Sequence, residues 1–224
     1  MIMRLSCLAI GYACGLFQTS YILGRMYGID IRKHGSGNAG TTNMLRTLGT
    51  KAGLITFFGD VMKTIVAVII CLSIFYRKEV NPEMLQLIKM YAAAGTILGH
   101  NFPFYLGFKG GKGIASTAGW IIMTDPYMVA IGLVVFFGIF CTTHYVSLGS
   151  ICLYITFFIE VVIMGALRLG SFVDITTPIA IECDVITGLL CAMAIYRHRE
   201  NIVRLINHNE KKTYLFKNKG EKAQ

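Results

Sequence analysis

The chain has 224 residues, of which 54% are hydrophobic and only 15% charged. A soluble domain of this size carries about 25% charged residues because its surface faces water. A soluble enzyme, a nucleic-acid binder and a disordered chain are therefore excluded, and the mean hydropathy of +0.60 and net charge of +9 fit a basic polytopic membrane protein.

A helix needs about 20 mostly apolar residues to cross a bilayer. The runs that approach this, in chain order, are 5–24, 52–76, 85–105, 114–124, 126–146, 150–167 and 179–197. The first follows Arg4 and has the look of a secretory leader. It stays apolar through Leu23 without a small-x-small cleavage site, so it reads as an uncleaved span. The fourth is about 18 Å long at 1.5 Å per residue and is expected as a short, tilted or half-spanning helix. The runs are too long and continuous for barrel strands, and lipid satisfies no backbone group, so the spans are helices. The expected fold is all-α, a polytopic integral membrane protein with seven transmembrane helices, one of them short. It divides into a single membrane-embedded domain over 1–212 and a basic cytoplasmic tail over 213–224.

Charge orients the bundle. Segment 25–51 carries Arg25, Arg32, Lys33, Arg46 and Lys51 against Asp30, segment 106–113 carries Lys109 and Lys112, and from Arg197 onward eight Lys/Arg face three Glu. Connections 77–84 and 168–178 balance to zero. The positive-inside rule makes the basic segments cytoplasmic. Seven crossings then put the N-terminus outside and the C-terminus in the cytoplasm, with 143–149 inside as well. The seven cysteines (7, 14, 71, 141, 152, 183 and 191) sit mostly in apolar spans, without C-x-x-C spacing. They read as small buried hydrophobes, and no metal or cofactor is expected.

Three polar stretches share the cytoplasmic face. The first runs His34-Gly35-Ser36-Gly37-Asn38-Ala39-Gly40-Thr41-Thr42-Asn43-Met44-Leu45-Arg46. Glycines let the backbone turn its N–H groups toward an anion, and the Arg46 fork suits a phosphate. In the second, Phe108-Lys109-Gly110-Gly111-Lys112-Gly113-Ile114, two lysines frame a Gly-Gly step ahead of a helix N-terminus. The P-loop pattern G-x-x-x-x-G-K-[ST] is absent, so a nucleotide is not indicated. In the third, Arg197-His198-Arg199-Glu200-Asn201-Ile202-Val203-Arg204-Leu205, His198 and Asn201 are three apart on one helix face. Ser147 and Ser150 open the sixth span, where hydroxyls either donate to phosphate or cap the helix; taken alone, capping is the simpler reading.

The signatures G-S-G-N-x-G-x-T-N-x-x-R, F-K-G-G-K-G and H-x-x-N-I-x-R-L, in this order over about residues 11–212, resemble those of the PlsY family of acyl-phosphate:glycerol-3-phosphate acyltransferases. The resemblance implies an enzyme of the bacterial cell inner membrane with its site toward the cytoplasm. It would pass a fatty acyl group from acyl phosphate to glycerol 3-phosphate, giving 1-acylglycerol 3-phosphate (lysophosphatidic acid) and inorganic phosphate in the first step of phospholipid synthesis. It further implies that Ser36, Arg46, one or both of Lys109 and Lys112, and Asn201 hold glycerol 3-phosphate. Gly37, Asn38, Gly40, Thr41, Asn43, Ser147 and His198 would line the acyl-phosphate pocket, with Gly110, Gly111, Gly113 and Ser150 contributing to substrate binding. His198, Ser147 and Asn201 are the expected catalytic set. His198 serves either as general base or as a hydrogen-bonding group while a substrate phosphate oxygen takes the proton.

Asp60 and Lys63 match the family's D-x-x-K and, with Arg204, are expected to support the site from behind. A charged pair inside a span should pair with itself or face the bundle interior, and the same default covers Glu160. The chain departs from the family pattern at Thr64 (Gly expected), His144 (Arg expected) and His208 (Gly expected). The expected partners are the two substrates, membrane lipids and an upstream enzyme that forms acyl phosphate, with no nucleic acid. An anion transporter would gather its polar groups at the midplane of paired broken helices, not at one face. Acyltransferases with H-x-x-x-x-D are excluded because no histidine here precedes an aspartate by five.

Overall fold

The computed structural model describes residues 1–75 and 81–214, and among these every regular element is helical. The helices are α1 (Ile2–Gly15), α2 (Thr19–Met26), α3 (Thr41–Leu48), α4 (Thr50–Phe75) and α5 (Pro82–Asn101). They continue with α6 (Ile114–Thr124), α7 (Pro126–Thr143), α8 (Val146–Leu167), α9 (Thr177–Arg197) and α10 (Arg199–Ile206). The end of the second predicted span at 76, the first half of the 77–84 connection, and the tail from 215 lie outside the described residues.

Five stretches are long and apolar enough to cross a membrane: Ile2–Met26, Thr50–Phe75, Pro126–Thr143, Val146–Leu167 and Thr177–Arg197. The predicted spans 85–105 and 114–124 fall short of that standard. They correspond to α5, which spends its length on small and polar residues, and to α6, which has 11 residues. The first predicted span is broken at Leu16–Gln18 between α1 and α2. Broken backbone at membrane depth must find partners inside the protein. Gly15 O accepts from Gln18 Nε2 (3.3 Å), Leu16 O from the Tyr105 hydroxyl (2.7 Å) and Phe17 O from Lys63 Nζ (3.0 Å), while Gln18 Nε2 also donates to His100 O of α5 (2.9 Å).

α5 is the centre of the bundle, packed against α1, α4, α6 and α9. Glycines at four-residue spacing bring α1 and α5 together backbone to backbone. A Cβ on Gly11 or Gly15 would overlap the carbonyl oxygens of Ala92 and Thr96, and one on Gly95 or Gly99 those of Leu8 and Tyr12. Small residues drive such approach in lipid, where burial of apolar surface supplies little. Farther along the core, Trp120 meets Phe157 edge-on at 4.8 Å. The outer faces of α4, α7, α8 and α9 carry Phe58, Val66, Val134, Phe137, Ile159, Val185 and Leu189 in the open, as a lipid-facing surface requires.

Charges inside the bundle behave unequally. Arg4 forks onto Glu182 (2.6 and 2.7 Å), which also accepts from Tyr91 (2.7 Å), tying α1, α5 and α9. Glu160 is not paired as expected; its buried Oε1 has no hydrogen-bond partner among the described residues, and nothing in the structure explains it. Of the departures, Thr64 is fully buried beside Gly119. His208 occupies the left-handed position (φ 55°) of a helix-ending motif. There His208 N–H donates to Leu205 and Asn209 N–H to Arg204, the turn that glycine normally serves.

Candidate active site

The three signatures close around one cavity of about 570 Å³. The 35–46 loop and start of α3 form one wall, the 108–112 loop and the start of α6 another. The starts of α8 and α10 and the segment after α10 form the rest, and Phe57, Asp60 and His100 make the floor. Its lining cations (Arg46, Lys109, Lys112, Arg197, Arg199, Arg204 and Lys211) outnumber its carboxylates (Asp60, Glu200 and Glu210). The cavity therefore favours anions.

The first loop is held by Asn43, which is 1% exposed. Its Nδ2 donates to the carbonyls of Ile31 (3.1 Å), His34 (2.9 Å) and Asn38 (3.0 Å), and its Oδ1 accepts from Ser36 N–H (2.9 Å). Asn43 is thus the loop's organiser, with no donor left for a ligand. Ser36 and Gly37 N–H groups are likewise spent inside the loop, so the expected concavity of N–H groups is only partly built. What the loop offers the cavity is Ser36, Asn38 and the hydroxyl of Thr41, which has no partner among the described residues. The Arg46 guanidinium, expected to fork onto phosphate, donates to Thr213 Oγ1 (3.2 and 2.6 Å) and Lys211 O (2.8 Å).

The second loop is seated on the end of α5. Gly110 N–H donates to Asn101 O (3.2 Å) and Gly111 N–H to His100 O (3.1 Å), while Arg197 grips both glycine carbonyls (3.0 and 2.6 Å). The loop therefore presents lysines, not a nest of N–H groups. A Cβ on Gly111 would overlap His100 Nε2, and Gly113 takes a left-handed φ of 83° to start α6. Gly111 and Gly113 lie behind the cavity wall instead of lining it. Lys109 is exposed at the mouth. Lys112 is half-buried and donates to Asn201 Oδ1. Burial, then the charge of Arg204, pulls its ammonium down to about 8.

His198 joins α9 to α10 and is buried. Its Nδ1 lies 2.8 Å from Ala194 O, a carbonyl that only accepts, so Nδ1 carries the proton and Nε2 bears the lone pair. Burial, then Lys112, holds the imidazole down at about 4, leaving it neutral at physiological pH.

Glu210, which the sequence reading passed over, joins the remaining parts. It accepts from Ser147 Oγ (2.9 Å), Asn201 Nδ2 (2.7 Å) and Arg204 Nε (2.7 Å). Burial alone would raise its carboxyl, but the hydrogen bonds from Arg204, Asn201 and Ser147 outweigh it and hold the group below its ordinary value. Ser147 is no helix cap, since it lies inside the first turn of α8, whose N-cap position is Tyr145 and carries no side-chain cap bond. Ser150 turns its hydroxyl back to Val146 O (2.7 Å). Thr213 N–H donates to His144 O (2.9 Å), and Tyr214 lies against the His144 ring (4.7 Å). Both residues, expected in the tail, thus close one side of the site. The expected pairing of Asp60 with Lys63 is present at 2.8 Å, with His100 joining it. His100, Arg197 and Glu210 are among the cavity residues missed from sequence; a lone acid and a lone intramembrane histidine amid apolar or basic surroundings were the signals.

An all-helical bundle with a deep cationic cavity and a neutral imidazole at one end defines an integral membrane enzyme for anionic substrates. A family model described as glycerol-3-phosphate acyltransferase matches residues 5–208, and the chain belongs to that family. A glycerol-3-phosphate acyltransferase of Clostridioides difficile (strain 630) is 41% identical over 205 residues, 91% of this chain and 92% of that one. The crystal structure of PlsY (YgiH), an integral membrane glycerol 3-phosphate acyltransferase, is similar in its glycerol 3-phosphate form. Its TM-score is 0.77 at 30% identity, covering 94% of this chain and 96% of that one. The lysophosphatidic acid form gives 0.75 at 30% identity, covering 95% and 96%. Phospholipid biosynthesis follows from the family.

Proposed function

We propose that the acyl donor is acyl phosphate and that the chain forms 1-acylglycerol 3-phosphate and inorganic phosphate. The observation that carries this reading is that two separate cationic loops, with Arg46 and with Lys109 and Lys112, face one cavity containing a neutral imidazole. Two phosphate-bearing substrates need two such anchors. Glycerol 3-phosphate is captured between Ser36, Arg46 and the deeper Lys112, and the donor phosphate by the Asn38–Thr41 wall with Lys109. For Arg46 this requires exchange of its bonds to Thr213 and Lys211.

An acyl phosphate is a mixed anhydride, so positioning and charge stabilisation suffice. The acceptor hydroxyl attacks the acyl carbonyl, a carbon–oxygen bond forms, and the acyl bond to the phosphate oxygen breaks. His198 accepts the attacking hydroxyl's hydrogen bond at Nε2. The proton ends on the leaving phosphate, which departs from the acyl phosphate dianion as a trianion and is a far stronger base than an imidazole held at about 4. Ser147 and Asn201 act by holding Glu210 and Lys112. The acyl chain suits the apolar groove of Leu54, Ile55, Phe58 and Met62. Thr19 borders that groove and donates to Asp60 of the cavity floor (3.0 Å).

The basic face is assigned to the cytoplasmic side of a bacterial inner membrane. Seven crossings follow when α1–α2 count as one and α5 and α6 cross inside the bundle, with the N-terminus outside. The enzyme domain, expected over 1–212, extends through Tyr214, and the basic segment beyond it is the candidate dock for the enzyme that supplies acyl phosphate.

The test supplies purified protein in lipid with labelled glycerol 3-phosphate and palmitoyl phosphate, palmitoyl-CoA or palmitoyl-acyl carrier protein. Product from the acyl phosphate alone, with one phosphate released per product, is expected. Activity from a thioester instead would overturn the donor assignment.

A further inference from the structure

Asp60 is the carboxylate on the cavity floor and is 0% exposed. Its Oδ1 is fully used, accepting from Thr19 Oγ1 (3.0 Å) and Lys63 Nζ (2.8 Å) and lying 3.7 Å from His100 Nδ1. Its Oδ2 is buried and has no hydrogen-bond partner among the described residues. Lys63 cannot turn to satisfy it. An ammonium has three protons, and these go to Asp60 Oδ1, Phe17 O (3.0 Å) and His100 Nδ1 (2.7 Å). A buried carboxylate oxygen left without a donor is costly, and Asp60 is one of the residues that line the cavity.

The missing donor belongs to what the cavity binds. A phosphate dianion brings no proton and is repelled by a carboxylate, whereas a hydroxyl supplies one. Lys63 compensates the Asp60 charge, so the carboxylate is suited to accept a hydrogen bond and ill suited to take the proton away. Glycerol 3-phosphate carries two hydroxyls, and the reaction consumes only one.

We propose that Asp60 Oδ2 accepts a hydrogen bond from the hydroxyl of glycerol 3-phosphate that is not acylated, and so selects a vicinal diol phosphate over a simple hydroxyalkyl phosphate. This rests on the acyltransferase reading of the cavity. Asp60 thereby binds substrate directly, and Thr19, Lys63 and His100 position it.

The experiment compares glycerol 3-phosphate with 3-hydroxypropyl phosphate, which keeps the phosphate and the reacting hydroxyl but lacks the middle one. Competing acceptors are given to the enzyme in lipid with palmitoyl phosphate, and the ratio of their kcat/KM values is read. That ratio does not depend on the fraction of active protein, so a partly folded variant still reports. The wild type is expected to prefer glycerol 3-phosphate by about ten- to a hundredfold, the range for a hydrogen bond to a charged group. Asp60→Asn should lose most of that preference. So should Asp60→Asn combined with Lys63→Met, which leaves no unbalanced charge and serves if the single variant fails to fold. A preference kept in both variants, or absent from the wild type, overturns the proposal while the acceptor reading stands. Acylation of neither compound by the wild type removes the acceptor reading and the proposal with it.

Discussion

Replacing Gly111 by alanine tests how the lysine-bearing loop is held. The added Cβ would overlap His100 Nε2 and stand 2.9 Å from the carbonyl oxygen of Ala39. Neither neighbour can yield easily. The His100 ring is fixed by Lys63 at 2.7 Å, and Ala39 is backbone at the heart of the opposite loop. The loop must therefore lift, stretching the Gly111 N–H bond to His100 O (3.1 Å) and carrying Lys112 away from its place. Overpacking of this kind costs about 1–3 kcal/mol. A displacement near 1 Å in a positioning group can lower turnover by about a hundredfold. Gly111→Ala should thus lower kcat/KM for glycerol 3-phosphate by about ten- to a hundredfold and reduce thermal stability modestly. Gly107→Ala is the control. Unlike Gly111 it has a left-handed backbone (φ 65°), but its Cβ would meet none of the described residues within 4 Å, so it should cost stability with little effect on kinetics. Steady-state kinetics in lipid and thermal unfolding read both effects. Wild-type kinetics in a stable Gly111→Ala protein would refute the claim that His100 sets the loop's height.

Because Lys112 is held at about 8, its charge is lost as pH rises through that value, and kcat/KM should fall there. Lys112→Arg should move this limb to higher pH, and an unmoved limb would assign it elsewhere. His198 at about 4 stays neutral in the fold while its unfolded counterpart protonates near 6.5. The unfolded chain then binds more protons between about 4 and 6.5, so stability should decline as pH falls through that window. His198→Gln should flatten the decline measured by denaturation at several pH values. Glu210→Ala leaves Ser147 and Asn201 without their acceptor. With the Arg204 bond discounted for its partial exposure, it should cost about 2–3 kcal/mol. Glu210→Gln should cost less, and equal stability of the alanine variant and the wild type would remove Glu210 as the keystone.

The spans and the cation-bearing loops were legible because their signals are local: apolar length, glycine spacing and lysines framing a Gly-Gly step. What the sequence hid depends on closure in space. Arg197 looked like one more topology-setting charge until the fold laid it on the carbonyls of Gly110 and Gly111. Glu210 sits in a basic segment whose simplest reading is attraction to lipid, yet it collects groups from α8 and α10. Asn43 carries a binding motif's residue type but is consumed by its own loop. The break after Gly15 is invisible to an apolar count, because leucine and phenylalanine fill it and its carbonyls are met from far along the chain, by Tyr105 and Lys63.

The glycine seam between α1 and α5 bears on how the chain enters the membrane. α5 contains Gln86, Lys89 and His100 and falls short of the apolar content of a self-inserting segment. A lysine near the middle of a helix adds about 2.5–3.5 kcal/mol against translocon insertion. α5 therefore reaches its place through a helix made earlier, with α1 offering the glycine track on which it docks. Widening that track, as Gly11→Leu does, should leave α5 stranded during synthesis. The defect would appear as altered topology of a ribosome-attached intermediate, before any finished protein exists to be unstable.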